Sequence, residues 1–230
     1  MSNHIHPSAI VGPGVELGDN NIVGPGAVLY GPLRIGDDNW IGPAAIIGTP
    51  GEIRGGRHNR GWLEADTGPG VRIGDRNVIR EGITIQAGDR IVTTVGSDCY
   101  LMTKCHIPHD ADIGNRVTIA CGVLVGGHSI IGDDVNLGLN STLHQFTVVG
   151  PGVMLGMASN VTRNLPPYAM AYGNPARVRG VNGRGLLRRG ASEEAVAQLG
   201  RALEEPDIEV PADFAPAFEW YQQAIERVKH

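Results

Sequence analysis

One periodicity constrains this chain more than any other feature. Counting from Ile5 in steps of six gives Ile5, Val11, Leu17, Val23, Leu29, Ile35, Ile41 and Ile47, all aliphatic. A second run holds Ile73, Ile79, Ile85 and Ile91, and a third runs unbroken from Val95 through Ile107, Val125 and Leu143 to Val161. A glycine follows six of the first eight anchors, at Gly12, Gly18, Gly24, Gly36, Gly42 and Gly48. Six is the period of neither a helix nor a plain alternating strand. It fits a short strand and a tight corner, repeated, with one large aliphatic pointing inward per strand. A small residue four positions later, such as Ala27, Ala45, Ala111 or Ser141, shares the interior. Strands this short are unstable alone, so successive coils must stack into an all-β parallel solenoid.

Composition agrees. Glycine supplies 34 of 230 residues, roughly double its usual ~7% but far from the one in three of collagen. Hydrophobic residues reach 41% with only 5% aromatic, so aliphatics and glycine must build the core. A net charge of −5 lacks the basic excess of a nucleic-acid binder. No apolar run approaches the ~18 residues of a membrane span. The start, MSNHIHPSAIV, has no basic segment followed by an apolar one, so no signal peptide is expected. Cys99, Cys105 and Cys121 form no CxxC pair and read as reduced thiols of a cytoplasmic protein.

Two segments break the register. Ile47 and Ile73 are 26 residues apart and Ile85 and Val95 ten, neither a multiple of six. The first break marks an extruded loop over 49–66, the second a smaller irregularity near Gly88. Loops leaving a regular scaffold are where function concentrates. The pattern stops after Val161, at NLPPYAM, so 1–170 is read as the solenoid and 171–230 as a short α-helical extension. Residues 192–205 suit a helix with Ser192 as N-cap and Glu193 and Glu194 in its first turn. Beyond a Pro-spaced linker, Phe218, Tyr221, Ile225 and Val228 fall on one side of a second helix, a packing stripe.

If three repeats make one coil of ~18 residues, positions between Val95 and Val161 can be assigned to columns. His109, Gly127 and Gln145 then share a column, Asp110 and His128 the next, and His144 the one before. Adjacent coils are ~4.8 Å apart, so three histidines, a carboxylate, a carboxamide and a bare glycine converge at one corner. A hydroxyl that is to attack a carbonyl needs a base, and a neutral imidazole suits that task. His109 is the candidate. Asp110 is an orienting carboxylate for His109 or, equally, for His128 in its own column. A backbone N–H unobstructed by a side chain, as at Gly127, suits a tetrahedral oxyanion. Direct attack needs no Ser or Cys nucleophile. Clustered histidines also suit a metal, and His106-x-x-His109 has ligand spacing. Arg177, Arg179, Arg184, Arg188 and Arg189 form a basic tail in an otherwise acidic chain, suited to a phosphate.

The six-residue pattern, over about 70% of the chain, resembles that of the hexapeptide-repeat acyltransferases. Within them, Ile73-Gly74-Asp75-Arg76-Asn77 with Ile79-Arg80-Glu81, His106-Ile107-Pro108-His109-Asp110, Gly127-His128 and His144-Gln145-Phe146 resemble segments of the UDP-N-acetylglucosamine O-acyltransferases of lipid A biosynthesis. The run from Gly173-Asn174 through Val181-Asn182 to Arg188-Arg189-Gly190 matches in the same order. The resemblance implies a left-handed parallel β-helix, against the general crossover preference, and a cytoplasmic homotrimer with sites between subunits. It implies His109 as general base, Gly127 as oxyanion donor, and His106, His128, His144 and Gln145 as substrate contacts. Asn182, Arg188 and Arg189 fall on the nucleotide-sugar or carrier side. The acyl donor would be a thioester on acyl-carrier-protein phosphopantetheine, with no bound cofactor or metal, and the acceptor a hydroxyl or amine of a nucleotide-linked amino sugar such as UDP-N-acetylglucosamine.

The sequence departs from that pattern in places. Arg184 stands where the family commonly has glutamate, and 49–66 carries His58, Arg60 and Trp62 in place of an Asp- and Lys-bearing sugar loop. Met157 occupies the position of a glycine that ends the acyl groove in long-chain relatives, which predicts a short-to-medium (3-hydroxy)acyl chain. Gly173-Asn174-Pro175-Ala176 also resembles the GNPA of CoA-dependent acetyltransferases, so an acetyl-CoA-dependent sugar O- or N-acetyltransferase is the alternative. From another class, a gamma-type metal-dependent carbonic anhydrase shares the solenoid. A non-catalytic solenoid such as an ice binder would need ordered Thr arrays, and Thr is scattered here.

Overall fold

The computed structural model describes residues 2–56, 68–205 and 207–228. The chain winds as a parallel β-solenoid with three flat faces. The first face runs from His4–Ile5 through Trp40–Ile41 and Asn136–Leu137 to Ala169–Tyr172, the second from Ile10–Val11 through His106–Ile107, and the third from Val15–Leu17 to Val148–Val149. Pairing repeats at 18 residues, as in Ile5 with Val23, Val11 with Leu29 and Ile113 with Ile131. Three six-residue units therefore close one coil. The anchors point inward, and Ile41, Ile47, Ile79, Leu101, Ile107 and Ile119 are fully buried in one continuous core. Ala27, Ala45, Ala111 and Ser141 fill the space beside them.

The recurring glycine has a packing reason. A Cβ on Gly114 would sit 2.8 Å from the Asp133 backbone nitrogen of the next coil, closer than stacked coils permit. At one inner corner a ladder of buried asparagines joins the coils: Asn39 and Asn77 each donate a backbone N–H to the asparagine carbonyl of the coil before, at 2.9 Å, and Cys99 ends the run.

Two extrusions interrupt the repeat. Ile35 pairs with Ile73, 38 residues on rather than 18, so one coil carries twenty extra residues. The part of that loop between 57 and 67, with His58, Arg60 and Trp62, lies outside the described residues. Ile73 pairs with Val95, 22 residues on, so the next coil carries four extra. Here the sequence reading needs correction. Ile91, counted as an inward anchor, is 50% exposed. The strand resumes at Thr93–Val95, and Ile91 belongs to the extruded loop.

Past the last coil, Ala169–Tyr172 turns back into an antiparallel strand, Arg177–Val181, so part of the basic tail is sheet. Among the described residues three α-helices follow, α1 (Gly183–Arg188), α2 (Glu193–Glu204) and α3 (Ala215–Val228), the last preceded by a 3-10 turn at Ala212–Phe214. Ser192 caps α2, its side chain accepting the N–H of Ala195. The short α1 went unforeseen because its glycines suppress any helical signal. Leu199 of α2, Leu186 and Phe214 form a small second core. The apolar stripe of α3 packs Tyr221 and Ala224 against Ile130 and Val148 on the outside of the third face, and Arg227 reaches Asp112 at 2.8 Å.

Candidate active site

The column arithmetic brings His109, Asp110, Gly127 and His128 to the corner between the second and third faces. Asp110, His128 and Phe146, spaced by 18, occupy equivalent corner positions with φ near +60°. Asp110 is buried at the centre of the site. Its Oδ2 accepts a 2.8 Å hydrogen bond from His109 Nδ1 and lies 3.5 Å from His128 Nε2. A carboxylate can only accept, so Nδ1 of His109 carries a proton, and in the neutral imidazole Nε2 keeps the lone pair. Asp110 thus contacts both histidines between which the sequence leaves its role open, the tighter contact going to His109. Burial pushes the Asp110 carboxyl up, but hydrogen bonds from His109 and from the backbone N–H groups of Ile91 and Arg90, with the charge of His128, bring it below the usual carboxylate value. It is an anion at neutral pH.

His109 is wedged between glycines. A Cβ on Gly127 would lie 2.9 Å from His109 Cε1 and 3.0 Å from Nε2, and one on Gly51 would lie 2.7 Å from His109 Cβ. Only glycine fits against the ring from either side. The Gly127 carbonyl accepts the N–H of Phe146 at 2.9 Å, while no group among the described residues takes the N–H of Gly127. His109 and His128 meet edge to face at 5.1 Å, and Phe146 stacks flat on His128 at 4.5 Å. That stack was not foreseen, although the division by 18 already sets Phe146 in the column of His128. Burial holds His128 below the ordinary imidazole value, against the raising effect of Asp110.

His106 stands on the adjoining strand, its Nδ1 2.7 Å from Thr84 Oγ1 and its Nε2 4.0 Å from the Glu52 carboxylate. Burial lowers its pKa against the opposing effect of Glu52. His144 and Gln145 lie two coils beyond His109, exposed, the His144 ring bonded to the Gln145 carbonyl. The ligand atoms of His109, Asp110 and His128 lie within 4.8 Å of one another, a spacing a cation could bridge. His106 is outside that group. Asp110 already shares Oδ2 with His109, and Oδ1 accepts three backbone amides.

The remaining candidate residues lie elsewhere. Asn182, Arg188 and Arg189, with Arg184, line a groove of about 760 Å³ on the first face, opposite the histidine corner. Asn182 caps α1, accepting from Gly185 N–H at 3.2 Å, and donates to the Gly152 carbonyl at 3.0 Å. Arg189 donates to the Asp134 carbonyl at 3.1 Å. Met157 projects from the corner between the first and second faces, 71% exposed. One chain does not bring these groups to His109.

Known proteins share this architecture. UDP-N-acetylglucosamine acyltransferase from Campylobacter jejuni superposes with a TM-score of 0.74 at 27% identity, over 99% of this chain and 92% of its own. UDP-N-acetylglucosamine O-acyltransferase from Moraxella catarrhalis gives a TM-score of 0.67 at 30% identity, over 99% of this chain and 93% of its own. The chain belongs to the UDP-N-acetylglucosamine O-acyltransferase family. Residues 165–205 match the model for domain 2 of UDP N-acetylglucosamine O-acyltransferase, while 2–31 and 93–127 match that for the bacterial transferase hexapeptide. The acyl-[acyl-carrier-protein]–UDP-N-acetylglucosamine O-acyltransferase of Thiobacillus denitrificans is 44% identical over 135 residues, 57% of this chain. The matched stretch spans about half of that relative, 52% of its length. No helix among the described residues of this family member is long and apolar enough to cross a membrane.

Proposed function

We propose that this protein is an acyltransferase that moves a (3-hydroxy)acyl chain from an acyl-carrier-protein thioester to a hydroxyl of a nucleotide-linked amino sugar such as UDP-N-acetylglucosamine. Family membership supports the reaction class. The observation that carries the chemistry is the 2.8 Å bond from His109 Nδ1 to buried Asp110, which leaves Nε2 as a base beside Gly127. In this mechanism Nε2 takes the hydroxyl proton as the sugar oxygen attacks the thioester carbonyl carbon. The N–H of Gly127 donates to the oxyanion of the tetrahedral intermediate. As the intermediate collapses, the C–S bond breaks and the proton on Nε2 passes to the departing thiolate of the phosphopantetheine arm. His106, His128, His144 and Gln145 line the acceptor side. These steps draw on side chains and one amide, with no metal or bound cofactor.

The groove bearing Asn182, Arg188 and Arg189 lies on the far side of the chain from His109, so one chain does not complete the site. In a cytoplasmic homotrimer a neighbouring subunit's groove would meet the histidine corner, the arrangement we favour. Incubation with acyl-carrier proteins bearing chains of graded length and with acetyl-CoA, followed by mass spectrometry of UDP-N-acetylglucosamine, tests the reading. Transfer from the carrier protein supports it, and transfer from acetyl-CoA alone overturns the choice of donor.

Two results are expected from variants. Gly127→Ala pushes the His109 ring off its position, and a displacement near 1 Å lowers turnover on the order of 10²-fold. Steady-state kinetics with thermal melting would show lost turnover without lost fold; a wild-type rate would end the case for a constrained ring. Met157→Gly removes an exposed side chain at the proposed end of the acyl groove. The preferred donor in a chain-length series should then lengthen by two or more carbons, and an unchanged optimum would remove Met157 as the ruler.

A further inference from the structure

The histidine corner is walled by the smaller extrusion. Between Thr84–Gln86 and Thr93–Val95 the chain rises off the coil, and the successive amides of Asp89, Arg90 and Ile91 all donate to Oδ1 of Asp110, at 3.0, 2.8 and 2.8 Å. The amide of Asp110 donates in turn to buried Thr93 Oγ1 at 2.9 Å. Three consecutive N–H groups converging on one oxygen make an anion nest. Its occupant is the carboxylate whose other oxygen receives His109. Loop and imidazole are thus held by one side chain, so whatever the loop presents to solvent keeps a fixed place beside the histidines.

It presents Arg90. The side chain is exposed and makes no ion pair among the described residues. Its charge is felt at His128, where it opposes protonation, while Asp89 acts there in the opposite sense. An unpaired guanidinium, on a backbone fixed by the carboxylate that also holds His109, has the chemistry of a phosphate grip. We propose that Arg90 binds a substrate phosphate at the histidine corner. This rests on the function proposed above, whose substrates both carry phosphate: the pyrophosphate of the nucleotide sugar and the phosphodiester of the pantetheine arm.

Arg90→Ala keeps the backbone N–H that donates to Asp110, so the loop survives the substitution. Calorimetric titration of the full chain with UDP-N-acetylglucosamine, and separately with CoA as a phosphopantetheine probe, is expected to show about a tenfold weaker Kd for one of them. The matching KM should rise with kcat within about twofold, and Arg90→Lys should recover part of the loss. Which ligand weakens identifies the phosphate. The His128 imidazole followed by NMR should titrate higher in Arg90→Ala, because a nearby positive charge has gone. A wild type that binds and transfers while Arg90→Ala binds both ligands equally well overturns the proposal alone. A wild type that binds neither ligand overturns it together with the functional reading.

Discussion

Replacing His109 with alanine should lower kcat by roughly 10²- to 10⁴-fold, the range of a lost general base, while the solenoid stays folded. The ring stands at a corner, outside the aliphatic core that carries stability, with 15% of the side chain exposed. Its removal leaves Asp110 with the three amides of Asp89, Arg90 and Ile91, so the loop keeps its anchor. Kd for the nucleotide sugar should move little, since the loss is in proton transfer. Single-turnover rates, calorimetry and a melting curve on one preparation separate these effects. A variant that still transfers acyl groups at more than about a tenth of the wild-type rate would leave His109 without the role assigned to it.

The corner was legible in the sequence because a solenoid turns three-dimensional position into counting. With an 18-residue coil, residues distant in sequence become neighbours by arithmetic, and inward anchors prevent the register from slipping. Asp110 and His128 were placed together that way, and Phe146 could have been. Counting failed where the chain leaves the coil. Ile91 falls six residues after Ile85, so it imitates an anchor, yet the segment is pulled outward by hydrogen bonds to Asp110 that no local pattern encodes. Of the groove residues, Arg184, Arg188 and Arg189 stand out in the sequence as a basic tail, and Asn182 by resemblance alone. Their distance from His109 was invisible because the Ala169–Tyr172 and Arg177–Val181 hairpin abandons the six-residue period and reverses the chain. Gly127 shows how the scales combine. Its bare position reads from sequence as an open amide, and the structure adds that any Cβ there would strike His109.

The sharpest separation of roles should come from Asp110. In Asp110→Asn, the side-chain oxygen can still accept the N–H groups of Asp89, Arg90 and Ile91, and the nest fixes which way the amide faces. Its NH₂ then points at His109 Nδ1. Two donors cannot share that contact, so the imidazole shifts its proton to Nε2, the nitrogen that must be empty to act as base. Turnover should fall by up to about 10⁴-fold, as when the carboxylate of a Ser-His-Asp triad becomes an amide, with melting temperature near that of the wild type. Asp110→Ala is a different lesion. Three amides lose their acceptor at a cost of about 1–3 kcal/mol for each group left unsatisfied, so the melting temperature should fall along with the rate. Comparing the pair by kinetics and thermal melting distinguishes orienting His109 from holding the loop. If Asp110→Asn kept kcat within threefold of the wild type, the tautomer of His109 would not depend on Asp110, and the carboxylate would be left only its structural task.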